Sequence, residues 1–347
     1  MSAYIPLSVP TLKGNELKYV KECIDTEWVS SAGKYVELFE QKIAEYTGSK
    51  YAVACVNGTA AIQVSLRLAG VKPSDEVIVS TLTFIASVNA ITYNNATPIF
   101  MDADKYYNLD SEKTIEFIKN ETVYKNGFTY NKNTDKKISA ILPVHVWGNA
   151  CWLDELINLC EERNIAVVED ACESLGTFYK EGKFNRKHTG AIGKLGCLSF
   201  NGNKIITTGG GGMILTDDQA LAEKAKYLTT QAKDDAIRYV HDEIGYNFRL
   251  TNIQSALGVA QLEQLPNILN RKKEIYNYYQ SAIENIDGLS ISKFPNYADN
   301  NHWMNLLKIE NKVYNEDREV LMKRLEENGI QTRPVWKLNH DQKPYKD

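Results

Sequence analysis

Residues 51–70, YAVACVNGTAAIQVSLRLAG, contain the pattern that decides the fold. The apolar string YAVACV (51–56) is typical of a buried strand, and AAIQVSLRLAG (60–70) places its apolar residues at helical spacing. Further strand-like strings follow at residues 76–80, 98–102, 138–144, 165–171 and 195–200. Helical spacing recurs between or after them at residues 87–95, 153–164 and 220–230. This alternation predicts an α/β fold, with a mostly parallel sheet and helices on both of its faces.

Three segments depart from this alternation. The polar interval 121–137 has no clear apolar period and is predicted to be an exposed insertion loop. Residues 252–286 have the pattern of a long helix, which we expect to be interrupted or bent near Pro266. A further helix is predicted over residues 317–329, with Gly329 at its C-terminal end.

The change of pattern after Thr251 indicates a domain boundary. We predict a large α/β domain with an N-terminal arm over residues 1–251. A long connecting helix and a smaller C-terminal α+β domain are predicted over residues 252–347. The length of 347 residues agrees with a prior of about two domains.

Composition and charge exclude several classes of protein. The chain is 43% hydrophobic and 24% charged, with a formal net charge of −4, which excludes a disordered chain and argues against a nucleic-acid binder. No stretch approaches the ~20 apolar residues of a membrane helix, and the N-terminus has no secretory signal. The six cysteines form no metal-binding pattern with histidine. We predict buried reduced thiols, no metal site, no membrane contact and a cytoplasmic location.

The segment SFNGNKIITTGGGGM (199–213) contains a candidate reactive lysine, Lys204. The segment follows an apolar strand, and its glycine run precedes another, so these glycines are expected to permit positive φ or a close backbone approach to a ligand. A lysine held there is a candidate Schiff-base former, because burial favours loss of its proton. The alternative is an ordinary solvated surface lysine.

Two further strand ends provide a candidate carboxylate and a candidate anion site. Asp170 ends a strongly apolar strand, where it either pairs with a buried cation or caps the following turn. Gly58, Thr59 and Ala60 stand at a strand–turn–helix junction, where backbone N–H groups can bind an anion. The alternative there is an ordinary capped helix start.

Two more features complete the set. Phe84 follows the strand at 76–80, where it either stacks on a planar ligand or belongs to the core. Asn247 and Arg249 form a polar pair that leads into the long helix. An anion cradle, a stacking aromatic, a carboxylate and a reactive lysine are together the groups that a pyridoxal phosphate site requires.

At this point the sequence resembles the DegT/DnrJ/EryC1/StrS family of sugar aminotransferases, which are pyridoxal phosphate (PLP) enzymes of fold type I. The resemblance covers nearly the whole chain and is carried by several strings in the order of the family. The most specific are NGTAA (57–61), TFIASVNAI (83–91), PVHVWGN (143–149), VVEDACESLG (167–176), SFNGNKIITTGGGGM (199–213) and GYNFRLTNIQSALGVAQLE (245–263). The resemblance implies an aspartate aminotransferase-like, three-layer sandwich with PLP as cofactor.

The resemblance also implies a role for each site residue. Lys204 would hold the cofactor covalently as a Schiff base and act as the catalytic residue, and Asp170 would pair with the pyridine nitrogen. Asn247 would reach the phosphate in the neighbouring subunit, which implies a homodimer with shared active sites. The remaining implied cofactor-binding residues are Gly58, Thr59, Ala60, Phe84, Glu173, Ser199 and Asn201.

The substrates implied by the resemblance are L-glutamate and a nucleotide-linked keto-sugar. The strings WVSSAGKYV (28–36), TGGGGM (208–213) and RPVWKLNH (333–340) are most similar to members that make UDP-4-amino sugars for bacillosamine or legionaminic acid. We therefore expect amination at C4 of a UDP-linked, N-acetylated 4-keto-6-deoxy sugar. A GDP- or dTDP-linked 4-keto or 3-keto sugar is the alternative.

Three expectations remain. The family typically continues beyond PYKD (344–347), so we expect a chain truncated at its C-terminus. Trp147, Asn149 and His188 are pocket candidates by position. The rivals from other classes are a non-catalytic regulatory member of the family, another PLP enzyme of the same fold, and a nucleotide-binding module without catalysis.

Overall fold

The computed structural model describes residues 4–235 and 237–346. Its α-helices are α1 (Glu16–Asp25), α2 (Lys34–Thr47), α3 (Gly58–Leu68), α4 (Ile85–Tyr93), α5 (Ser111–Asn120), α6 (Asp154–Glu162), α7 (Gln219–Thr229), α8 (Asn252–Ile283), α9 (Asn311–Tyr314) and α10 (Arg318–Glu327). Its strands are β1 (Tyr51–Cys55), β2 (Glu76–Ser80), β3 (Thr97–Met101), β4 (Thr122–Lys125), β5 (Phe128–Asn131), β6 (Ile138–Leu142), β7 (Ala166–Asp170), β8 (Phe178–Tyr179), β9 (Leu195–Ser199), β10 (Gly212–Thr216), β11 (Leu289–Ile291), β12 (Ala298–Asp299) and β13 (Leu307–Ile309).

Seven strands form the central sheet, in the order β1-β10-β9-β7-β6-β2-β3. Only β10 runs against its neighbours in this sheet, because it pairs antiparallel with both β1 and β9. The other pairs are parallel. The predicted mostly parallel sheet is therefore confirmed, and all its strands except β10 end at the same edge.

The alternation of side chains along the strands produces three layers. In β2, Val77 and Val79 pack on the face that α3, α4 and α7 cover, whereas Ile78 packs on the opposite face with α5 and α6. In β9, Leu198 contacts the cluster formed with α2 and α8. The predicted sandwich of helices, sheet and helices is confirmed.

The prediction of an insertion loop at residues 121–137 is wrong, because β4 and β5 form a hairpin there. The hairpin turns at Asn126 and Gly127, which both have positive φ, and Asn-Gly is the strongest short sequence signal for such a turn. Its inward side chains are polar, so no apolar alternation marks the strands. The Asn131 amide, for example, donates to a Glu76 carboxylate oxygen at 2.9 Å.

The long helix also differs from expectation. α8 continues through Pro266 as one helix of 32 residues, so an interruption is absent, and a bend near Pro266 stays a prediction. Thr251 and Gln254 form a capping box at its start, and α1 and α2 pack along it. The last predicted helix is confirmed as α10, and Gly329 follows it with φ of 75°.

The C-terminal tail returns to the large α/β part of the molecule. Ile330 forms a parallel bridge with Ile5 of the N-terminal arm. Further along, the side-chain amide of Asn339 donates to the carbonyl oxygens of Thr81 and Thr83, directly after β2. The division into two domains therefore stays a prediction. Among the helices described here, none is long and apolar enough to cross a membrane.

Candidate active site

A cavity of about 540 Å³ lies at the edge where the parallel strands end. Its floor consists of residues that follow β1, β2, β6, β7 and β9, which is where open α/β sheets place ligand sites. Most of the residues predicted from the sequence line it together: Gly58, Thr59, Phe84, Asp170, Glu173, Ser199, Asn201 and Lys204. Residues of the C-terminal segments form its other walls.

Lys204 is directed into this cavity. Its side chain is 12% exposed, so the alternative of a solvated surface lysine is wrong. The Nζ atom lies 3.2 Å from Glu173 Oε1 and 4.6 Å from the centre of the Trp303 ring. The backbone N–H of Lys204 donates to the Asn201 carbonyl, which fixes the turn after β9. The fold therefore presents one amine at the buried end of the cavity.

Burial and the neighbouring charges shift the pKa of Lys204 in opposite directions. Burial alone would lower the pKa, as expected from the sequence, but the Glu173 and Asp170 carboxylates outweigh it. In the absence of a covalent partner, the result is a pKa above the ordinary value of 10.5. The sequence could not show this because Glu173 reaches Lys204 only through the tertiary fold.

Glu173 is held in place by the turn after β6. Its Oε2 atom accepts a hydrogen bond of 2.9 Å from the backbone N–H of Trp147. Trp147 itself has φ of 52°, an unfavourable left-handed conformation for an aromatic residue. Burial raises the pKa of Glu173 above its usual value, partly offset by Lys204 and the Trp147 N–H. The strained turn thus orients the carboxylate that contacts Lys204.

Asp170 ends β7 at the floor of the cavity and is 4% exposed. One carboxylate oxygen accepts a hydrogen bond of 2.6 Å from the Ser87 hydroxyl, and the other accepts from the Cys172 N–H at 3.1 Å. The hydrogen bond from the Cys172 N–H agrees with the alternative of a turn cap. The hydrogen bond from Ser87 joins the carboxylate to the start of α4. The two interpretations of Asp170 are therefore compatible.

The start of α3 provides a compact cradle for an anion. The Asn57 side chain caps the helix by accepting from the Ala60 N–H at 2.8 Å, so Ala60 does not contribute that N–H, contrary to expectation. Gly58 and Thr59, at the first helical positions, line the cavity. A Cβ atom on Gly58 would lie 2.7 Å from Cys172 Sγ and 2.8 Å from Ser199 Cβ. Only glycine fits there.

The glycine run after Lys204 acts through close packing. A Cβ atom on Gly212 would lie 2.5 Å from the Asn57 carbonyl carbon, so β10 can approach the start of α3 only with glycine at this position. Gly209 has φ of 78°, as permitted without strain for glycine. The expectation of positive φ is confirmed at Gly209. The close approach at Gly212 is to the backbone of Asn57, so an approach of this run to a ligand stays a prediction.

Aromatic side chains form one wall of the cavity. Phe84 is 52% exposed, so it does not belong to the core. The Trp336 ring of the C-terminal tail lies between those of Phe84 and Trp147, at centroid distances of 5.9 and 5.0 Å. Sequence reasoning missed Trp336, Trp303 and Asn305 as lining residues, because no local pattern indicates where the C-terminal segments return.

Three other candidates lie away from the cavity wall. Asn247 is exposed and does not line the cavity of its own chain. His188 is fully buried against Phe178, and burial lowers its pKa to about 4, so it is a neutral core residue. The Asn149 amide donates to the Tyr106 carbonyl and is structural. Over residues 4–235 and 237–346, no three or more side chains of the metal-ligating types form a cluster that could hold a metal ion.

These residues fit the cofactor that the resemblance implies. The space between Gly58 and Ser199, which a Cβ atom on residue 58 would fill, suits a phosphate at a helix N-terminus. Asp170 and Lys204 line the same cavity; Asp170 is buried, and the Lys204 side chain is mostly buried. The polar requirements of pyridoxal phosphate are therefore met by residues of this chain.

A cavity of this kind, at the strand ends of a three-layer sandwich, is shared by the PLP-dependent aminotransferases of fold type I. The model of the DegT/DnrJ/EryC1/StrS aminotransferase family matches residues 10–347, and the chain belongs to this family. It is therefore a PLP-dependent sugar aminotransferase, with the cofactor held by a lysine Schiff base. Family, fold and cofactor are confirmed.

Two curated proteins and one solved structure show the range of its relatives. The chain is 38% identical over 344 residues to the GDP-perosamine synthase of Escherichia coli O157:H7, covering 99% of this chain and 88% of that protein. It is 37% identical over 345 residues to EpsN of Bacillus subtilis (strain 168), which is provisionally named a pyridoxal phosphate-dependent aminotransferase, covering 99% and 84%. A DegT DnrJ EryC1 StrS aminotransferase from Brucella abortus superposes with a TM-score of 0.84 at 26% identity, covering 96% and 84%. The particular similarity to UDP-specific members is not confirmed.

Proposed function

We propose that the protein transfers the amino group of L-glutamate to C4 of a nucleotide-linked 4-keto-6-deoxy sugar. The observation that carries the proposal is the buried Lys204–Glu173 pair, with 3.2 Å between Nζ and Oε1, at the inner end of a cavity in a sugar aminotransferase. The UDP-linked, N-acetylated sugar is the first candidate. The GDP-linked sugar is the second, because GDP-perosamine synthases are among the relatives.

Each residue of the site has a proposed task. Bound pyridoxal phosphate supplies a ring that accepts the electrons of the bond broken at the substrate carbon. Lys204 holds the cofactor covalently, and its freed Nζ then carries the proton from and to the reacting carbon. Asp170 keeps a proton on the ring nitrogen. Gly58 and Thr59, through their N–H groups, and Ser199, through its hydroxyl, bind the phosphate.

Glu173 solves the protonation problem of Lys204. An ammonium ion cannot act as a nucleophile, so its proton must move to another group before the lysine reacts. Glu173 contacts Nζ directly, and burial has already raised the pKa of this carboxylate. We propose that Glu173 takes up this proton.

The proposal predicts two separable spectral changes. Protein loaded with PLP should show a yellow absorbance band that L-glutamate bleaches, and a suitable keto-sugar should restore it. Recovery with a UDP-linked 4-keto-6-deoxy sugar, but not with its GDP-linked counterpart, selects the first candidate; the reverse selects the second. Bleaching without recovery by either would reject the proposed sugars, and an absent band would favour a non-catalytic member.

We also propose a homodimer whose two active sites are shared. Large apolar side chains are exposed in the segment that precedes Asn247, with Ile237 87%, Tyr239 76% and Ile244 80% exposed, and a second copy of the chain would cover them. In such a dimer, Asn247 would bind the cofactor phosphate held by the other subunit.

Mixing two inactive variants tests the shared sites. Lys204→Ala and Asn247→Ala should each be poorly active alone. A refolded mixture should regain activity, because each mixed dimer has one site with both residues intact. A mixture no more active than the sum of its parts, or a monomer by light scattering, would rule out sharing through Asn247.

A further inference from the structure

Arg333 places a cation on the cavity wall, and its guanidinium has donors that are available to a ligand. It lines the cavity beside Leu7 and Trp336, and its side chain is exposed. Among the residues that the structure describes, its guanidinium forms one hydrogen bond, which Nη1 donates to the neighbouring Thr332 carbonyl at 2.8 Å. Within residues 4–235 and 237–346, no carboxylate lies within salt-bridge distance of its guanidinium. The guanidinium therefore keeps most of its donors available to a ligand.

The backbone on both sides of Arg333 is anchored. On one side, the Gln331 N–H donates to the Ile5 carbonyl at 2.9 Å, and the Leu7 N–H donates to the Gln331 side chain at 3.1 Å. On the other side, Trp336 is packed between two aromatic rings of the cavity wall. Because only a few residues separate these anchors, the position of Arg333 at the mouth is set by the fold.

The other charges of the cavity already have partners. Lys204 contacts Glu173, and Asp170 accepts hydrogen bonds from Ser87 and Cys172. These groups lie at the buried end, where the reacting carbon must reach Lys204. A substrate that places its keto carbon there must extend the rest of its length towards the mouth. In a nucleotide-linked sugar, the group next to the sugar is a diphosphate.

We infer that Arg333 binds the diphosphate of the nucleotide-linked substrate at the mouth of the cavity. The inference rests on the proposed function. A guanidinium presents a planar set of N–H donors that matches phosphate oxygens in a bidentate arrangement, and the ion pair adds to each hydrogen bond. Arg333 thus anchors the nucleotide end of the substrate.

The same chemistry could bind two other anions, and the geometry favours neither. The cofactor phosphate has its own cradle at Gly58 and Ser199. A carboxylate of L-glutamate belongs to a small molecule that must reach Lys204 at the buried end. The exposed position of Arg333 suits a longer ligand that spans the cavity. The test separates all three anions.

The test measures binding of GDP and UDP to the PLP-loaded enzyme by calorimetry, with guanosine and uridine as probes that lack the diphosphate. Arg333→Ala should weaken binding of the diphosphates by about 10- to 100-fold and leave the weaker binding of the nucleosides unchanged. Arg333→Lys should bind the diphosphates more weakly than the wild type and more tightly than Arg333→Ala, because lysine retains the charge without the bidentate geometry. Binding to the wild type should weaken with rising salt.

Lys337→Ala is the matched control, because Lys337 is an exposed cation of the same tail that does not line the cavity. It should bind GDP and UDP as the wild type does. Equal diphosphate binding by wild type and Arg333→Ala would overturn the inference. So would a loss that appears in PLP affinity or in bleaching by L-glutamate instead. A wild type that binds neither diphosphate would reject the proposed substrate class itself.

Discussion

Lys204→Ala should lower transamination by at least ~10³-fold and leave the protein folded. The variant loses the amine that holds the cofactor and moves the proton, and nothing described near Nζ replaces it. Glu173 would lose its counter-charge, and the loss of Lys204 removes an interaction that lowers the pKa of this buried carboxyl group, so the protonated form becomes more favourable. Turnover assays and the absorbance spectrum with PLP measure the loss.

Two further variants separate chemistry from charge. Lys204→Arg retains a cation beside Glu173, but a guanidinium stays protonated and cannot replace the reactive amine, so it should be as inactive as the alanine variant. Lys119→Ala removes an exposed lysine of α5 and should be fully active. An active Lys204→Arg enzyme would contradict the role assigned to Lys204.

Glu169→Gln should lower the free energy of unfolding by about 3–5 kcal/mol. Glu169 is fully buried on β7, next to Asp170, and both of its oxygens only accept. They receive hydrogen bonds from His145 Nε2 and from the backbone N–H groups of Gly190, Ile192 and Gly193, at 2.6–2.9 Å. A glutamine would point an NH₂ group at two donors. Chemical denaturation measures the change, and Glu162→Gln, on the exposed face of α6, should change it by less than about 0.5 kcal/mol.

The same residue should contribute to acid sensitivity. Burial alone would raise the pKa of Glu169, but His145 and the Gly193 and Gly190 N–H groups lower it below the ordinary 4.5. In the window below pH 4.5 the unfolded chain therefore binds the proton more readily, so this contribution to stability is lost as the pH falls. Glu169→Gln should lack this part of the acid transition. An unchanged pH profile would show that Glu169 is not its source.

The sequence identified the strands because a buried parallel strand needs a short run of apolar residues, and it identified Lys204 and Asp170 because both follow such runs. It did not reveal Glu169, although this residue adjoins Asp170. Successive side chains of a strand point to opposite faces, so one carboxylate enters the cavity and the other enters the core. A local sequence pattern does not show which of the two carboxylates faces the cavity and which faces the core.

Other features depend on contacts between distant parts of the chain. Trp336 packs against Phe84 although about 250 residues separate them in the sequence, and no local periodicity predicts this contact. The hairpin at β4 and β5 was missed because its inward residues, such as Thr129 and Asn131, are polar and satisfied by hydrogen bonds. The direction of β10 likewise follows from its packing against β1 and β9.

The cavity is lined by residues from distant parts of the chain. Asp170 ends a strand of the sheet, and Glu173 and Lys204 lie in the turns that follow such strands, whereas Trp303, Arg333 and Trp336 come from C-terminal segments. The two sets are in contact, since the Trp303 ring lies 4.6 Å from Lys204 Nζ and the Trp336 ring packs against Trp147. A substitution in the C-terminal segments would therefore change the wall that faces the substrate and the surroundings of the reactive lysine together.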